Sequence, residues 1–154
     1  MDLGLKGKTV VITGGSGGIG QGLVLEFARE GCNVVSASRD ATTGEKLAQQ
    51  AAAQGLPGRV LALATDVTQR ASVDAMIAET QRQFGPVDAL VNNAGGVAHP
   101  SAFAELDDEA RRWEIALNID GVVNCCQAVG RDMLARGRGS IINISSNSSL
   151  PSKE

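Results

Sequence analysis

The chain contains five short apolar runs, rich in branched side chains, that recur along its whole length. Each run is continuously apolar, whereas a strand with one face in water alternates between apolar and polar residues. Continuous runs of this length are typical of strands buried on both faces of a parallel sheet. The five predicted strands cover residues 9–13, 33–38, 59–64, 87–91 and 140–144.

Helical patterns lie between the predicted strands. Over 72–84, inward-facing residues recur at spacings of three and four, which predicts one stripe of a helix that ends at Gly85. The members of this stripe are Val73, Met76, Ile77, Thr80 and Phe84. The segment 42–54 is also predicted to be helical, and it opens with Thr42 and Glu45 at the spacing of a capping box.

A third helical stretch runs from Asp107 to about Arg136, and the acidic residues at its start suit a helix N-terminus. Its side chains predicted to point inward are Trp113, Leu117, Cys125, Val129 and Met133. Strand and helix thus alternate through five strands, which requires parallel strands joined by right-handed crossovers with helices on both faces. The predicted fold is a doubly wound α/β sheet in a single domain over 1–154.

Charge and apolar content exclude several classes of partner. The net charge of -3 comes from residues scattered along the chain, with no basic block that could neutralise nucleic acid or an anionic membrane. The apolar runs fall far short of the roughly 20 residues that span a bilayer, and the N-terminus lacks the layout of a signal peptide. The sequence therefore predicts a cytoplasmic protein that binds neither nucleic acid nor a membrane.

The three cysteines are Cys32, Cys125 and Cys126. They form no C-x-x-C pair, and no histidine lies at a metal-ligand spacing from them. We therefore predict reduced, mostly buried cysteines that act as small hydrophobic residues, and no metal site.

A glycine-rich loop follows the first predicted strand. Gly15, Gly17 and Gly20 satisfy the pattern G-x-G-x-x-G, and five of the seven residues in 14–20 are glycine. Between a buried strand and a helix, such glycines permit a tight turn and leave the N–H groups of the helix N-terminus free for a pyrophosphate. The alternative is a turn that serves only strand-to-helix packing, which needs fewer glycines.

Read as T-G-x-x-x-G-I-G over 13–20, the same loop resembles the nucleotide loop of the short-chain dehydrogenase/reductase family. Three further segments match that family in order and position: "TDV" at 65–67, "NNAG" at 92–95 and "NISS" at 143–146. The resemblance covers essentially all 154 residues and corresponds to the N-terminal part of a usual family member. It implies a Rossmann fold that is truncated after the fifth strand.

The resemblance also implies a set of cofactor-binding residues. Those expected at the pyrophosphate and adjoining riboses are Gly14, Ser16, Gly18, Ile19 and Gly20. Asp66 and Val67 are expected to flank the adenine, and Asn93, Ala94 and Gly95 to line the nicotinamide ribose. The residues alone agree in outline, because ligands of doubly wound sheets bind beyond the C-terminal strand ends where these segments lie. Without the resemblance, Asp66 could equally cap the following helix.

The residues after the second strand bear on the choice of cofactor. The resemblance implies that an Asp at the position of Ser38 would favour NAD, whereas this Ser is followed by Arg39, whose guanidinium could pair with a 2′-phosphate. Asp40 and the lack of a basic residue at Gly17 argue for NAD instead. We predict NADP in preference to NAD.

Two catalytic residues match the family. The resemblance implies hydride transfer between nicotinamide and a small-molecule carbonyl or secondary alcohol, with Asn118 supporting a proton path and Ser146 holding the substrate oxygen. From the residues alone, Asn118 could instead bond its own helix backbone, and Ser146 could serve only in a turn.

The remainder of the family's catalytic set is missing. The sequence contains no Tyr, and Lys153, its last lysine, has Ser149 four residues before it. His99 is predicted to lie beside the substrate mouth without replacing the Tyr. We therefore predict that the 154-residue chain is inactive, with the fifth strand as an exposed apolar edge, and that the complete protein is a homo-oligomeric oxidoreductase. The alternatives are a non-catalytic dinucleotide-binding module and a purely structural domain.

Overall fold

The computed structural model describes residues 2–99 and 103–146. Its strands are β1 (Thr9–Thr13), β2 (Asn33–Ser38), β3 (Arg59–Ala64), β4 (Ala89–Asn92) and β5 (Ser140–Asn143). Its α-helices are α1 (Gly18–Arg29), α2 (Thr42–Ala53), α3 (Arg70–Phe84), α4 (Asp108–Ile115) and α5 (Gly121–Arg136). A short 3₁₀ turn (Phe103–Glu105) precedes α4, and a π-helical segment (Ala116–Asp120) joins α4 to α5.

The five strands form one parallel sheet in the order β3-β2-β1-β4-β5. Apolar residues of α1 and α2 pack on one face, and those of α3 and α5 pack on the other. The central strand β1 contributes side chains to both faces. Val11 packs with α3 and α5, whereas Val10 and Ile12 pack with α1 and α2. This arrangement confirms the predicted doubly wound parallel sheet.

The predicted stripe of α3 faces the core. Val73, Met76, Ile77 and Thr80 are all buried, and Phe84 packs against the same cluster. The helix ends at Gly85, whose φ of 83° lies in the region that favours glycine.

The fourth strand begins at Ala89 rather than at residue 87. Val87 is buried, but Asp88 uses its backbone N–H and a carboxylate oxygen to bond the backbone of Thr9, at 2.9 and 3.0 Å. Asp88 therefore anchors the entry to β4, and the strand ladder starts one residue later.

The predicted capping box of α2 is wrong. No side chain caps the helix from its N-cap residue, Ala41. Instead, the Asp40 carboxylate accepts a hydrogen bond from the N–H of Thr42 at 2.9 Å. An Asp two residues before the helix thus satisfies one of the N–H groups that the first turn leaves unpaired.

The predicted helix from Asp107 to Arg136 is interrupted by the π-helical segment. Asp107 caps its start by accepting a bond from the N–H of Ala110 at 2.8 Å. Cys125, Val129 and Met133 are buried as predicted, and Leu117 is partly buried. Trp113 is 37% exposed, so its predicted inward placement is wrong.

The strand β5 forms one edge of the sheet, and all four of its residues are exposed. Ile141 and Ile142 keep 40% and 44% of their surface in solvent. The predicted exposed apolar edge is therefore observed. No helix in the described ranges is both long and apolar enough to cross a membrane.

Candidate functional site

A cleft of about 520 Å³ opens beyond the C-terminal ends of β1, β2, β3 and β4. The described residues that line it are Gly14, Ser16, Gly17, Gly18, Ile19, Ala37, Ser38, Arg39, Asp40, Thr65, Asp66, Val67, Asn93, Ala94, Gly95 and Leu117. Every residue that the sequence assigned to a cofactor is in this set except Gly20. The structure thus brings together four segments that are distant in sequence.

The glycine loop is built for close backbone contact. A Cβ atom on Gly14 would lie 2.9 Å from Cα of Ala94, and the φ of Gly14 is +65°. A Cβ on Gly20 would meet the carbonyl oxygen of Gly14 and lie 2.9 Å from Nδ2 of Asn93. Gly20 therefore lies behind the cleft, where its lack of a side chain lets helix α1 approach the loop.

The N-terminus of α1 faces the cleft. Its N-cap residue is Gly17, which offers no side-chain bond to the helix, and Gly17, Gly18 and Ile19 all line the cleft. The first N–H groups of a helix have no intrahelical acceptor, and the helix dipole favours negative charge there. This end of the cleft can therefore bind an anion such as a phosphate.

Thr13 joins the ends of β1 and β4. Its hydroxyl oxygen accepts bonds from the N–H groups of Asn93 and Ala94, at 3.1 and 3.0 Å. The side-chain amide of Asn93 donates in return to the carbonyls of Thr13 and Gly14, both at 3.1 Å. Sequence reasoning missed this role of Thr13, although a hydroxyl residue at the end of the first strand was the available signal.

The end of β2 presents an unpaired hydroxyl and a cation. The Oγ of Ser38 is buried and has no hydrogen-bond partner among the described residues. Arg39 is exposed at the cleft, and no described carboxylate pairs with it. Asp40 also lines the cleft, but Thr42 lowers the pKa of its carboxyl through hydrogen bonds from the side chain and the backbone N–H.

Asp66 organises the turn after β3. One of its carboxylate oxygens accepts from the N–H and the hydroxyl of Thr68, at 3.0 and 2.8 Å. Its own N–H donates to Oγ of Ser72 at 3.0 Å. The N-cap of α3 is Gln69, so Asp66 shapes the turn that leads to the helix without being its cap residue.

Asn118 lies in the π-helical segment and clamps the loop after β4. Its Nδ2 donates to the carbonyls of Gly96 and Glu114, at 2.8 and 2.9 Å, and its Oδ1 accepts from the N–H of Gly96 at 3.0 Å. Both N–H donors of the amide are thus used. The bond to Glu114 is the helix-backbone contact that the sequence left open, while the two bonds to Gly96 tie the helix to the cleft wall.

Ser146 lies three residues beyond the last residue of β5 and is exposed. Neither Asn118 nor Ser146 is among the described residues that line the cleft, but Leu117, next to Asn118, is. Ser149 and Lys153 lie outside the described residues.

A second cavity of about 390 Å³ lies beside α4, and its described lining includes His99, Asp107, Glu109 and Trp113. His99 Nε2 is 3.7 Å from a carboxylate oxygen of Asp107. His99 is not among the described residues that line the large cleft. Trp113 lies against this cavity, which accounts for part of its exposure.

The cysteines lie away from the cleft lining. Cys32 and Cys125 are buried, Cys126 is half-buried, and all three are free thiols. Burial, followed by the charge of Cys126, raises the pKa of the Cys125 thiol to about 12. Within the described ranges, no three His, Cys, Asp or Glu side chains gather closely enough to hold a metal ion.

Comparison with known families gives one family match. The model described as "short chain dehydrogenase" matches residues 8–153. Among curated relatives, the oxidoreductase UcpA of Escherichia coli K12 is 40% identical over 142 residues, which cover 92% of this chain and 52% of UcpA. The 3-oxoacyl-[acyl-carrier-protein] reductase FabG of Thermotoga maritima is 34% identical, over 92% of this chain and 56% of FabG. The chain thus spans about half the length of the curated relatives it matches.

Solved structures give the same fold. A short-chain type dehydrogenase/reductase from Mycobacterium marinum superposes with a TM-score of 0.89 at 33% identity, over 97% of this chain and 60% of that one. A second structure from Burkholderia xenovorans, described as a short-chain dehydrogenase/reductase, also reaches 0.89 at 32% identity, over 96% and 59%.

Proposed function

We propose, on the premise that the chain belongs to the short chain dehydrogenase family, that the protein is an NAD(P)-dependent oxidoreductase. Its reaction is hydride transfer between a nicotinamide cofactor and a small-molecule carbonyl or secondary alcohol. The observation that carries this proposal is the 520 Å³ cleft, in which the glycine loop and the ends of three further strands meet. The relatives UcpA, an oxidoreductase, and FabG, a reductase, support a redox reaction.

The cleft residues fit a dinucleotide. Gly14 and Gly20 let the loop pack closely on Ala94, Asn93 and its own backbone, which fixes the loop at the edge of the cleft, while Gly17 and Gly18 line the cleft without side chains. The uncapped N-terminus of α1 supplies N–H donors to its charge. The buried hydroxyl of Ser38 has no hydrogen-bond partner among the described residues, and a ribose oxygen could accept its hydrogen bond.

We propose NADP as the preferred cofactor. Arg39 lies at the cleft with no described carboxylate to neutralise it, so its guanidinium is available to a 2′-phosphate. Asp40, the residue that argued for NAD, already accepts a bond from Thr42. Its carboxylate is thereby committed in part to the start of α2, which weakens the case for NAD.

The chain's own residues would prepare the substrate side as follows. Nicotinamide, when bound, supplies or accepts the hydride. Ser146, beyond β5, would donate a hydrogen bond to the substrate oxygen and stabilise negative charge there. Asn118 holds Gly96, so in this proposal it shapes the wall beside Gly95 and leaves one lone pair of Oδ1 for a water in a proton path.

The proton donor of the family reaction is a Tyr, and this sequence contains none. A Ser hydroxyl is too weak an acid to replace it. We therefore propose that the 154-residue chain binds the cofactor but does not turn over carbonyl substrates. The absence of Tyr also fits the second candidate function, a non-catalytic dinucleotide-binding module. The two candidates differ in one expectation: adding an acid group would restore turnover in the oxidoreductase but not in the module.

Calorimetric titration with NADPH and NADH tests the proposal. We expect both to bind, NADPH more tightly, and Arg39→Ala to weaken NADPH about tenfold or more while sparing NADH, because a charge-assisted bond is lost. Arg131→Ala, at an exposed arginine of α5 outside the cleft lining, is the matched control and should change neither affinity. If NADH binds more tightly than NADPH and Arg39→Ala leaves both affinities unchanged, the NADP preference is overturned. If neither cofactor binds, the proposed function is overturned.

The remaining finer points are part of the same proposal. The substrate is a small carbonyl compound or alcohol, the location is cytoplasmic, and the whole protein is a homo-oligomer. Each of these stays a prediction.

A further inference from the structure

Helix α5 contacts the turn after β3, where Val67 lines the cleft. We propose that Asn124, on α5, is a positioning residue that fixes this turn so that the adenine half of the dinucleotide is held. The inference rests on the proposed function, since it assigns a role in binding that cofactor.

The contact between α5 and Val67 has two parts. Nδ2 of Asn124 donates to the carbonyl oxygen of Val67 at 3.0 Å, across 57 residues of sequence. One turn earlier on the same face, a Cβ on Gly121 would lie only 2.7 Å from Cγ2 of Val67. The Val67 side chain, 7% exposed, therefore occupies the space that the glycine leaves empty.

Local bonds do not set where this turn lies. The bonds of Asp66 to Thr68 and Ser72 join residues within the turn and the start of α3, so they fix its curvature. The Asn124 bond joins the turn to a helix that packs with β4 and reaches the opposite wall of the cleft. This bond and the Val67–Gly121 contact join the turn to α5, while the bond from the N–H of Thr65 to the carbonyl of Ser38, at 2.8 Å, joins the end of β3 to β2.

The same helical rod holds the opposite wall. Asn118, six residues before Asn124 and continuous with α5, bonds both the N–H and the carbonyl of Gly96. Asn118 and Asn124 therefore bond the backbone on two sides of the cleft from one continuous helical stretch, Asn118 at Gly96 and Asn124 at Val67. Loss of the Asn124 clamp should therefore disturb the adenine wall while the Asn118 clamp keeps the other wall in place.

The test is calorimetric titration of ADP-ribose, which carries the adenine half without nicotinamide, and of NADPH. Asn124→Ala and the isosteric Asn124→Asp, which cannot donate to a carbonyl when ionised, should each weaken both ligands about fivefold, the ratio expected for one lost hydrogen bond. The matched control is Gln127→Ala, one turn further along α5, where the amide oxygen accepts from Arg70 on the exposed surface. This control should leave both affinities unchanged.

A second readout needs no ligand. Amide hydrogen exchange at 66–68 should be faster in Asn124→Asp than in the wild type and unchanged in Gln127→Ala, because only the former loses the clamp. This measurement also carries the test if Asn124→Ala does not fold.

The outcomes separate the two claims. A wild-type protein that binds neither ADP-ribose nor NADPH overturns the proposed function and this inference with it. If the wild type binds both ligands and the Asn124 variants bind ADP-ribose as tightly as the wild type does, only the positioning role is overturned. Weakening of both ligands by about the same factor supports it.

Discussion

The sheet has a covered side and an uncovered side. All five residues of β1 are buried, and the four central residues of β2 are buried between helices on both faces. On the face covered by α1 and α2, Val91 of β4 is 1% exposed, yet Ile142, its register partner on β5, is 44% exposed. Among the described residues, helical cover on that face therefore stops between the fourth and fifth strands.

The candidate site divides along the same line. Its proposed cofactor residues lie at the ends of β1 to β4, where each segment is held by at least one other element, as Thr13 holds Asn93 and Asn124 holds Val67. Ser146 follows β5, which pairs with β4 alone among the described strands. The comparison teaches that the proposed cofactor residues lie on the side of the sheet that helices cover, whereas the proposed substrate residue Ser146 follows the exposed strand β5.

The largest expected effect comes from adding a side chain on the covered side, at Gly20, where the backbone of α1 contacts the backbone of the glycine loop. Gly20→Ala would drive a methyl group into the carbonyl of Gly14, which cannot move without displacing the loop. We expect a loss of about 3 kcal/mol in the free energy of unfolding and loss of NADPH binding. Chemical denaturation and titration measure the two effects.

Gly22→Ala is the matched control in the same helix, since a Cβ there would meet nothing within 4 Å. It should stabilise the protein by about 0.5–1 kcal/mol, because alanine is the better helix former. Equal unfolding midpoints for the Gly20 and Gly22 variants would show that the loop is not packed as tightly as the structure has it.

A smaller effect is expected on the uncovered side. An exposed apolar edge strand favours pairing with other chains, so the 154-residue chain should self-associate as its concentration rises. Ile142→Lys places a charge on that edge and should reduce self-association while changing the free energy of unfolding by less than about 1 kcal/mol. Light scattering coupled to size exclusion measures the association.

Leu134→Lys provides the comparison, because Leu134 is 83% exposed on α5 rather than on the strand edge. If strand pairing drives association, this variant associates like the wild type. If it reduces association as much as Ile142→Lys does, general apolar exposure is the cause and the edge has no special role.

The strands of the covered side could be predicted from sequence. The bounds of β1, β2 and β3 coincide with the predicted apolar runs. Burial on both faces accounts for this in β1 and in the centre of β2, whereas β3 is an edge strand whose inner residues are only partly buried, so the prediction of burial on both faces is wrong for β3. The glycine loop and the location of the cleft were also predictable from glycine spacing and strand ends, whereas the individual residues of the lining came from the family resemblance. The hydroxyl of Thr13 and the amide of Asn124 were not, because their partners lie 80 and 57 residues away in sequence.

The misplacement of Trp113 has a specific cause. Three backward steps of four residues lead from the buried Cys125 to Trp113, but each step exceeds the helical turn of about 3.6 residues. On an ideal helix Trp113 therefore lies about 120° away from Cys125. The buried residue of α4 is Ala110. The π-helical segment Ala116–Asp120 also changes the phase between α4 and α5, and apolar periodicity carries no signal for it.

The smallest expected effect is a pH dependence at the start of α2. Hydrogen bonds from Thr42 lower the pKa of Asp40 below its usual 3.8, so the unfolded chain binds this proton first as the pH falls. The stabilisation is therefore fully present above about pH 4 and is lost as the pH falls through the lower folded-state pKa. Thermal unfolding midpoints of the wild type and of Asp40→Ala should differ at neutral pH and converge in acid.

Asp40→Asn separates the charge from the hydrogen bond. Its amide oxygen can still accept from the N–H of Thr42 but does not titrate, so the difference between Asp40→Asn and Asp40→Ala should stay constant across the same pH range. A wild-type midpoint that keeps its distance from that of Asp40→Ala in acid would mean that the carboxylate is not bonded to Thr42. The Asp40 carboxylate would then be available to a ribose hydroxyl. An acidic group beside Arg39 would favour NAD and count against the proposed NADP preference.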